Sequence, residues 1–340
     1  MSSGALVLVT GISGFVGAHI VNELFKAGYR ARGTVRSPKV ATIKQWYKGT
    51  EYEGKVDVVV IDDLVAGDFT AAFQGVEGVI HAAAPLPGRA SPEEALDAGI
   101  EGSMNVLRQA EKAGIKKFSV VSSIFSVNAN FTTATEMMTH NDWTETTREY
   151  ALSHRESTLV VYAAEKTLAE RAIWEFAEKH PHIEVASVNP PFFLGPFAPR
   201  FTIPDGSISA LSTNFIVYDF LRPDGPPPPH GSWIDPLLPR KSAANVFLMS
   251  GEEWLNAKDV VDYIAEVRPE LKDRLSREAQ AAPSGSMKNL MDNSRVKEVL
   301  GLVLTPWKTT IIEAVDDLIA IDKDWKSRGV AVKSLDNWQP

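Results

Sequence analysis

A glycine-rich turn between an apolar run and an amphipathic stretch limits the fold of this chain more than any other feature. Residues 10–17 read Thr-Gly-Ile-Ser-Gly-Phe-Val-Gly and follow the short apolar run Ala5–Val9. Gly11, Gly14 and Gly17 lie where a strand must turn at once into a helix, which favours residues without a Cβ. The start of that helix offers backbone N–H groups to a closely approaching dinucleotide pyrophosphate. A tight turn that binds no ligand is the alternative, and the alternating pattern that follows favours the pyrophosphate.

Short apolar runs alternate with longer amphipathic ones along the first half of the chain. The strand-like runs are rich in β-branched residues: Ala5–Val9, Arg32–Val35, Val56–Ile61, Gly78–His81, Phe118–Val121 and Ile183–Val188. Helical spacing is found between them: Phe15–Ala27, Pro38–Tyr47, Phe69–Phe73, Pro92–Ala113 and Leu159–Lys179. This alternation indicates parallel strands joined by crossover helices. The sequence therefore predicts an α/β fold with a doubly wound parallel sheet of the Rossmann type.

The composition changes after Pro190. Residues 190–240 are rich in proline, and the run Pro226–Pro229 is incompatible with a helix or a central strand. Helical patterns resume over residues 257–266, 293–300 and 309–322. We therefore expect the later part of the chain to form a separate and mostly helical unit.

With 340 residues, the chain is long for a single hydrophobic core. We expect a nucleotide-binding domain over residues 1–190, to which some segments of 230–250 return. Residues 191–340 are expected to form a smaller C-terminal lobe that binds the substrate and closes a cleft.

The charge and the residue content exclude several classes of protein. A formal net charge of −8 disfavours a general binder of nucleic acid or of anionic membranes, and the chain has no cysteine for disulfides or thiolate chemistry. Neither a bilayer-spanning segment nor a basic signal-peptide start is visible, so we expect a cytoplasmic protein. The seven histidines lack zinc-site spacing, and no metal is predicted. We expect a small-molecule substrate and a monomer or homodimer.

The region after the second predicted strand indicates which dinucleotide binds. No Asp or Glu occurs over residues 24–50, whereas NAD sites usually place an acid there for the ribose hydroxyl. Arg36 follows the strand directly, and Lys39 lies nearby, so a 2′-phosphate is the better ligand. A solvated basic face is the alternative and explains Lys44 and Lys48. NADP(H) is the predicted cofactor.

Three further pairs follow predicted strands at the edge where such sheets bind ligands. Asp62 and Asp63 follow the third strand, where a carboxylate accepts from an adenine amine, although a plain loop acid explains them nearly as well. Ala82 and Ala83 follow His81 and are small enough to let a cofactor approach, and we interpret His81 as a buried, hydrogen-bonded histidine. Ser122 and Ser123 end the fifth strand, where a hydroxyl can hold a substrate oxygen.

Tyr162 and Lys166 stand four residues apart in a helical stretch and therefore share one face. An ammonium beside a phenol favours the phenolate, so we expect Lys166 to lower the pKa of Tyr162 toward working pH. This spacing also arises by chance on helix surfaces. Together with the glycine turn and the strand-end serines, it indicates proton transfer next to a hydride donor.

These residues resemble those of the extended short-chain dehydrogenase/reductase superfamily. Within it, the chain is similar to the branch of dihydroflavonol 4-reductase, cinnamoyl-CoA reductase and the yeast and fungal carbonyl (methylglyoxal, aldehyde) reductases. The resemblance extends over most of the chain, and its motifs are specific. They are Val9–Gly17, Arg32–Ser37, Val121–Ser123, Tyr162–Glu170 with Trp174, Asn189–Pro190, Gly195–Pro196 and Asp292–Ser294.

The resemblance implies an NADPH-dependent reductase of ketones and aldehydes, or an alcohol dehydrogenase in reverse. Ser123, Tyr162 and Lys166 would be its catalytic residues, and Arg36 would select NADPH. Pro190 and Phe193 would lie against the nicotinamide, and Phe125, Asn128 and Phe192 would contact the substrate. The complete set predicted to bind the cofactor is Gly11, Gly14, Phe15, Val16, Gly17, Arg36, Lys39, Asp62, Asp63, Ala82, Ala83, Ser122, Tyr162, Lys166, Pro190 and Phe193.

One segment departs from the family pattern. Asp235 is followed by Pro236-Leu237-Leu238-Pro239, where the family has a helix, so this helix is predicted to be shortened or absent.

Two other functions stay open. An epimerase, dehydratase or hydroxysteroid dehydrogenase on the same scaffold would mostly use NAD, against which the basic second-strand region speaks. A non-catalytic NADP-sensing protein would not need Ser123, Tyr162 and Lys166.

Overall fold

A parallel sheet of seven strands forms the centre of the molecule. The computed structural model describes residues 4–130, 135–225, 233–234, 236–237, 245–248, 253–285, 287–288 and 290–332. The sheet contains β1 (Leu6–Thr10), β2 (Arg30–Val35), β3 (Val56–Val60), β4 (Val76–His81), β5 (Lys117–Val121), β6 (Glu184–Asn189) and β10 (Asn245–Leu248), in the order β10-β6-β5-β4-β1-β2-β3. The predicted doubly wound α/β fold is confirmed.

Helices connect these strands, as parallel pairing requires. They are α1 (Phe15–Lys26), α2 (Val40–Tyr47), α3 (Pro92–Lys112), α4 (Arg148–Ser153) and α5 (Thr158–Lys179). The longest two, α3 and α5, pack against each other, and α3 begins with a capping box between Ser91 and Glu94. The prediction of a helix over Phe69–Phe73 is wrong. That segment forms a turn, because so short a run before the left-handed Gly75 cannot propagate a helix.

The strand order reverses beside β1. The chain leaves β1 toward β2 and β3 and then crosses to β4 on the other side, so Thr10 of β1 pairs with His81 of β4. In open α/β sheets, ligands bind outside the carboxyl ends of the strands at such a switch point. The glycine turn after β1 opens into this crevice.

The remaining elements are short strands and helices. They are β7 (Phe192–Phe193), α6 (Phe215–Phe220), β8 (Trp233–Ile234), β9 (Pro236–Leu237), β11 (Glu253–Asn256), α7 (Ala257–Val267), α8 (Arg277–Ala281), β12 (Met287–Lys288), α9 (Ser294–Leu300) and α10 (Trp307–Ser327). Helices α6, α7 and α10 enclose an apolar core of their own, in which Trp325 is buried. This is the mostly helical C-terminal lobe.

Part of the segment that departs from the family pattern is described. Pro236 and Leu237 form β9, which pairs in parallel with β7, and β10 returns to pair with β6. Asp235 and residues 238–244 lie outside the described residues, as does the whole proline run Pro226–Pro229, so the predicted loss of a helix stays a prediction. None of the helices in the described ranges is apolar enough over a sufficient length to cross a bilayer.

Aromatic side chains join the lobe to α1 and α2, which belong to the seven-stranded sheet's part of the molecule. The ring of Phe197 meets Phe15 of α1 edge-on at 5.5 Å, and Phe201 lies 4.8 Å from Trp46 of α2. The Trp46 indole also donates to Thr202 at 2.9 Å. Phe197 and Phe201 thus pack the lobe against α1 and α2.

Candidate active site

The glycine turn after β1 has no space for side chains. Gly11 adopts a φ of +73°, and a Cβ at that position would lie 3.0 Å from the Ala83 Cα atom. A Cβ on Gly17 would lie only 2.2 Å from the Gly11 carbonyl oxygen, so α1 passes directly over the turn. Gly14 is less restricted, with the same oxygen at 3.4 Å, and its N–H donates to that oxygen at 3.0 Å. This compact backbone cradle at the start of α1 suits a pyrophosphate.

A buried hydrogen-bond chain fixes the strand ends beside the cradle. The Thr10 hydroxyl accepts from the N–H groups of Ala82 and Ala83 at 3.0 and 3.1 Å and bonds His81 Nδ1 at 2.8 Å. The other ring nitrogen of His81 bonds the Ser103 hydroxyl at 3.0 Å. Burial lowers the pKa of His81 to about 3, so the ring is neutral and serves to hold β1 and β4 together. Thr10 was not among the predicted site residues, although its position before the first glycine was the available signal.

Arg36 lies exposed where β2 ends, beside the carboxylate of Asp62. Asp62 accepts from the backbone N–H of Ser37 at 2.7 Å and from its hydroxyl at 2.6 Å. These bonds, and secondarily the charge of Arg36, lower the pKa of Asp62. Asp62 thus holds the backbone that carries Arg36. Asp63 instead accepts from the N–H of Val65 at 2.7 Å, and contact of either acid with adenine stays a prediction.

Arg32, a basic residue within β2, is engaged elsewhere. Arg32 donates to Asp57 at 2.7 Å and to the backbone carbonyls of Ala72 and Gln74. Its guanidinium therefore braces the edge of the sheet. Lys39 follows Arg36 in a short 3₁₀ helix and is half-buried.

The two serines after β5 have different roles. Ser122 donates its hydroxyl to the Glu170 carboxylate at 2.6 Å, and Glu170 also accepts from Ser126 at 2.6 Å and Asn189 at 2.7 Å. This network ties α5 to β5 and β6. Ser123 begins the turn of residues 124–126, is almost fully buried, and lies close enough to the Tyr162 phenol to act to lower its pKa. Of the two serines, Ser123 is therefore the one that acts on Tyr162.

Tyr162 and Lys166 occupy one face of α5, as predicted. The Lys166 ammonium lies 5.6 Å from the centre of the Tyr162 ring, and Phe125 meets that ring edge-on at 5.6 Å. The expectation that the tyrosine pKa is lowered is wrong in its net direction. Burial raises the pKa of Tyr162 and outweighs the opposing effects of Lys166 and Ser123. The phenol is therefore protonated at neutral pH, which is the form that donates a proton.

Glu165 is a feature of this site that the sequence interpretation did not single out. Its side chain is buried, with 1% of the residue exposed, and its Oε1 atom lies 3.8 Å from the Lys166 ammonium. Burial raises the pKa of Glu165 to about 8, although Lys166 acts in the opposite direction. The available signal was a glutamate directly before the lysine, on a helix whose apolar neighbours had to be buried.

Apolar side chains surround Tyr162 on the substrate side. Phe125, Ala163 and Phe192 belong to one cluster with it, whereas Phe193 lies beside Phe192 in β7. The Pro190 carbonyl accepts from the N–H of Ile124 at 2.9 Å, which joins β6 to the serine turn. The structure therefore places the predicted residues Phe125 and Phe192 at Tyr162, and their contact with a substrate stays a prediction.

Asn128 opens onto a different surface. A cleft of about 650 Å³ borders it, together with Met138, Trp143 and Tyr150. The side-chain Oδ1 atom of Asn128 accepts from the backbone N–H of Asn130 at 2.8 Å. Over the ranges that the structure describes, no group of three or more His, Asp or Glu side chains could hold a metal ion.

Comparisons with known proteins agree with this geometry. The model of the NAD dependent epimerase/dehydratase family matches residues 7–218. Aldehyde reductase 2 of Sporidiobolus salmonicolor is 32% identical over 205 residues, which are 57% of this chain and 59% of that protein. Dihydroflavonol 4-reductase of Callistephus chinensis is 33% identical over 210 residues, 61% of this chain and 56% of that protein. The match thus spans less than two thirds of these relatives.

The structural similarity to a solved protein covers more of the chain than these two sequence matches do. The crystal structure of the yeast methylglyoxal/isovaleraldehyde reductase Gre2 complexed with NADPH superimposes with a TM-score of 0.79 at 21% identity. The superposition covers 94% of this chain and 99% of that one.

Proposed function

Because the chain belongs to the NAD dependent epimerase/dehydratase family, we propose that it is an NADPH-dependent reductase of ketones and aldehydes. One observation carries the proposal: Ser123, Tyr162 and Lys166 come together at the carboxyl end of β5, two strands along the sheet from β1, which the glycine cradle follows. Relatives named as an aldehyde reductase and a dihydroflavonol reductase support the same chemistry. The activity is reversible, and the same site would oxidise the alcohol.

NADP(H) fits the residues at the switch point. The cradle of Gly11, Gly14 and Gly17 would hold the pyrophosphate at the start of α1. Arg36 would bind the 2′-phosphate. Asp62 holds Ser37, the next residue in the chain, and so fixes the backbone that carries Arg36. An NAD site would instead require an acid at the end of β2, and none occurs there. The structural relative in complex with NADPH supports this assignment.

The side chains of the site supply the proton and stabilise the developing charge. When bound, the dihydronicotinamide supplies the hydride. Tyr162 donates its proton to the carbonyl oxygen. Its raised pKa keeps the phenol protonated before that step. Ser123 holds the same oxygen and stabilises its growing negative charge. Lys166 compensates the phenolate that remains on Tyr162.

The arrangement of the chain suits a cleft between two units. Residues 1–190, with β10 returned to their sheet, would bind the cofactor, and the lobe of residues 191–340 would close over the substrate. Phe125 and Phe192 give the substrate side an apolar wall, so we propose carbonyl compounds with an apolar substituent. A cytoplasmic monomer or homodimer is part of the proposal.

The proposal is tested by following NADPH oxidation over a panel of ketones, aldehydes and flavanonols. The parent protein should turn over at least one of them and prefer NADPH to NADH. Tyr162→Phe should still bind NADPH and lose about 10²- to 10⁴-fold in kcat, as expected when a general acid is removed. A parent protein that binds NADPH and reduces no carbonyl would contradict the reductase assignment.

A further inference from the structure

Glu165 is a buried carboxyl beside the lysine of the site. Its Oε1 atom has no hydrogen-bond partner among the described residues, and the Lys166 ammonium at 3.8 Å is the nearest opposite charge. Lys166 itself is buried, with 9% of the residue exposed. A charged carboxylate in such a place is unfavourable unless a partner compensates it. Lys166 is therefore its only compensating charge in this part of the site.

The neighbouring helix makes room for this carboxyl. Gly99 of α3 faces Glu165, and a Cβ on Gly99 would lie 2.2 Å from the Glu165 Cγ atom and 3.1 Å from Oε1. Gly99 is inside a helix, where glycine is unfavourable. Because Gly99 has no Cβ, the long side chain of Glu165 fits where α3 meets α5.

The titratable groups around Glu165 come from two elements. On α5 they are Tyr162, Lys166 and Glu170, and β4 contributes His81. Helix α3 contributes Gly99 and Ser103, which do not titrate. His81 is neutral, and Glu170 is engaged by Ser122, Ser126 and Asn189. Glu165 borders a cavity of about 10 Å³, close to the room that one water needs, and Lys166, Glu170, His81, Gly99 and Ser103 line the same cavity.

Within the proposed reductase function, we propose that Glu165 is a positioning residue that acts through Lys166. On losing its proton, Glu165 neutralises the Lys166 ammonium and so holds the acidic proton on Tyr162. Its own proton passes to solvent, and no other group changes. The residue would thereby favour carbonyl reduction over alcohol oxidation as the solution becomes alkaline.

The direction of the coupling follows from the charges. A negative charge on Glu165 raises the pKa of Tyr162, whereas Lys166 lowers it. Because the Glu165 pKa is about 8, the carboxyl is mostly protonated at neutral pH and ionises above that value. At neutral pH a neutral isostere should therefore behave like the parent. Above pH 8 the parent gains a charge that the isostere lacks.

The test is a pH titration of Tyr162 in Glu165→Gln. Tyrosinate absorbance, taken as the difference between each protein and its Tyr162→Phe counterpart without cofactor, should appear at lower pH in Glu165→Gln than in the parent. The alkaline limb of kcat/KM for NADPH oxidation should move the same way. Glu178→Gln makes the same change at an exposed position of α5 and should leave both curves unmoved.

Superimposable or oppositely shifted tyrosinate curves for the parent and Glu165→Gln would overturn the inference. Glu165→Ser removes the same charge with a smaller side chain and replaces Glu165→Gln if that variant does not fold. The titration needs neither cofactor nor substrate. A parent protein without carbonyl reductase activity would therefore refute the proposed function, whereas unmoved tyrosinate curves in an active parent would refute only the role of Glu165.

Discussion

Arg36 decides the choice of coenzyme in this account. Its guanidinium is exposed at the end of β2, and its backbone neighbour Ser37 is held by Asp62. Arg36→Ala would remove the proposed charge-assisted contact with the 2′-phosphate, so KM for NADPH should rise about 10- to 100-fold, corresponding to about 1.5–3 kcal/mol. Kinetics with NADH should stay nearly unchanged. Steady-state assays with both coenzymes measure this preference.

Lys44→Ala is the matched control for Arg36→Ala. Lys44 is also a basic, exposed residue of the same region, on α2. Its removal should leave the NADPH preference intact. Equal effects of the two substitutions would mean that a general basic surface, rather than Arg36, attracts the cofactor.

At the residue scale, sequence patterns predict positions better than charge states. The four-residue spacing of Tyr162 and Lys166 places both on one face of α5, because helix geometry is local. The net pKa shift of Tyr162 could not be predicted, since burial depends on how distant elements pack around it. Glu165 escaped notice for the same reason, because its burial depends on Gly99 of another helix.

The packing of α3 against α5 depends on the fit between Gly99 and Glu165. Gly99→Ala places a methyl group 2.2 Å from the Glu165 Cγ atom and should lower the free energy of unfolding by about 1–3 kcal/mol, the usual cost of overpacking. Glu165→Ala removes that Cγ atom and should recover most of the loss in the double variant. Urea unfolding of the four proteins gives the coupling energy.

Additive effects in this cycle would contradict the contact between the two helices. A second cycle with Gly102→Ala provides the comparison. Its added Cβ would meet Leu64 at 3.0 Å rather than Glu165. Glu165→Ala should therefore give no rescue there.

At the element scale, the sequence pattern predicts the six consecutive strands of the nucleotide-binding sheet, because fully buried parallel strands are short, apolar and β-branched. It fails at Phe69–Phe73, where helical spacing over a few residues is insufficient to form a helix. It also does not identify β7, β9 or β10 as strands. These short strands exist because they pair with distant partners, and local spacing carries no information on such pairing.

The stability of the whole molecule should vary with pH because two buried groups have shifted pKa values. Glu165 has a pKa of about 8 in place of its usual 4.5, so its contribution is complete below 4.5 and is lost as the pH rises through 8. His81 has a pKa of about 3 in place of 6.5, so its contribution is complete above 6.5 and is lost as the pH falls through 3. Their joint contribution is greatest in mildly acidic solution.

Urea unfolding over a pH series measures this dependence. The free energy of unfolding of the parent should decline on the alkaline side, and the decline should be smaller in Glu165→Gln. Parallel curves for the two proteins on that side would show that Glu165 has no shifted pKa in the folded chain.

The central claim is that Tyr162 delivers a proton while the bound dihydronicotinamide delivers a hydride to a carbonyl carbon. The most direct measurement uses NADPH that carries deuterium at the transferred position, with mass spectrometry of the alcohol formed from a carbonyl compound of the panel. We expect one deuterium on the former carbonyl carbon with the parent protein. With Tyr162→Phe at saturating NADPH, the labelled alcohol should form about 10²- to 10⁴-fold more slowly. Unlabelled alcohol from the parent, or labelled alcohol from Tyr162→Phe at the parental rate, would contradict the central claim.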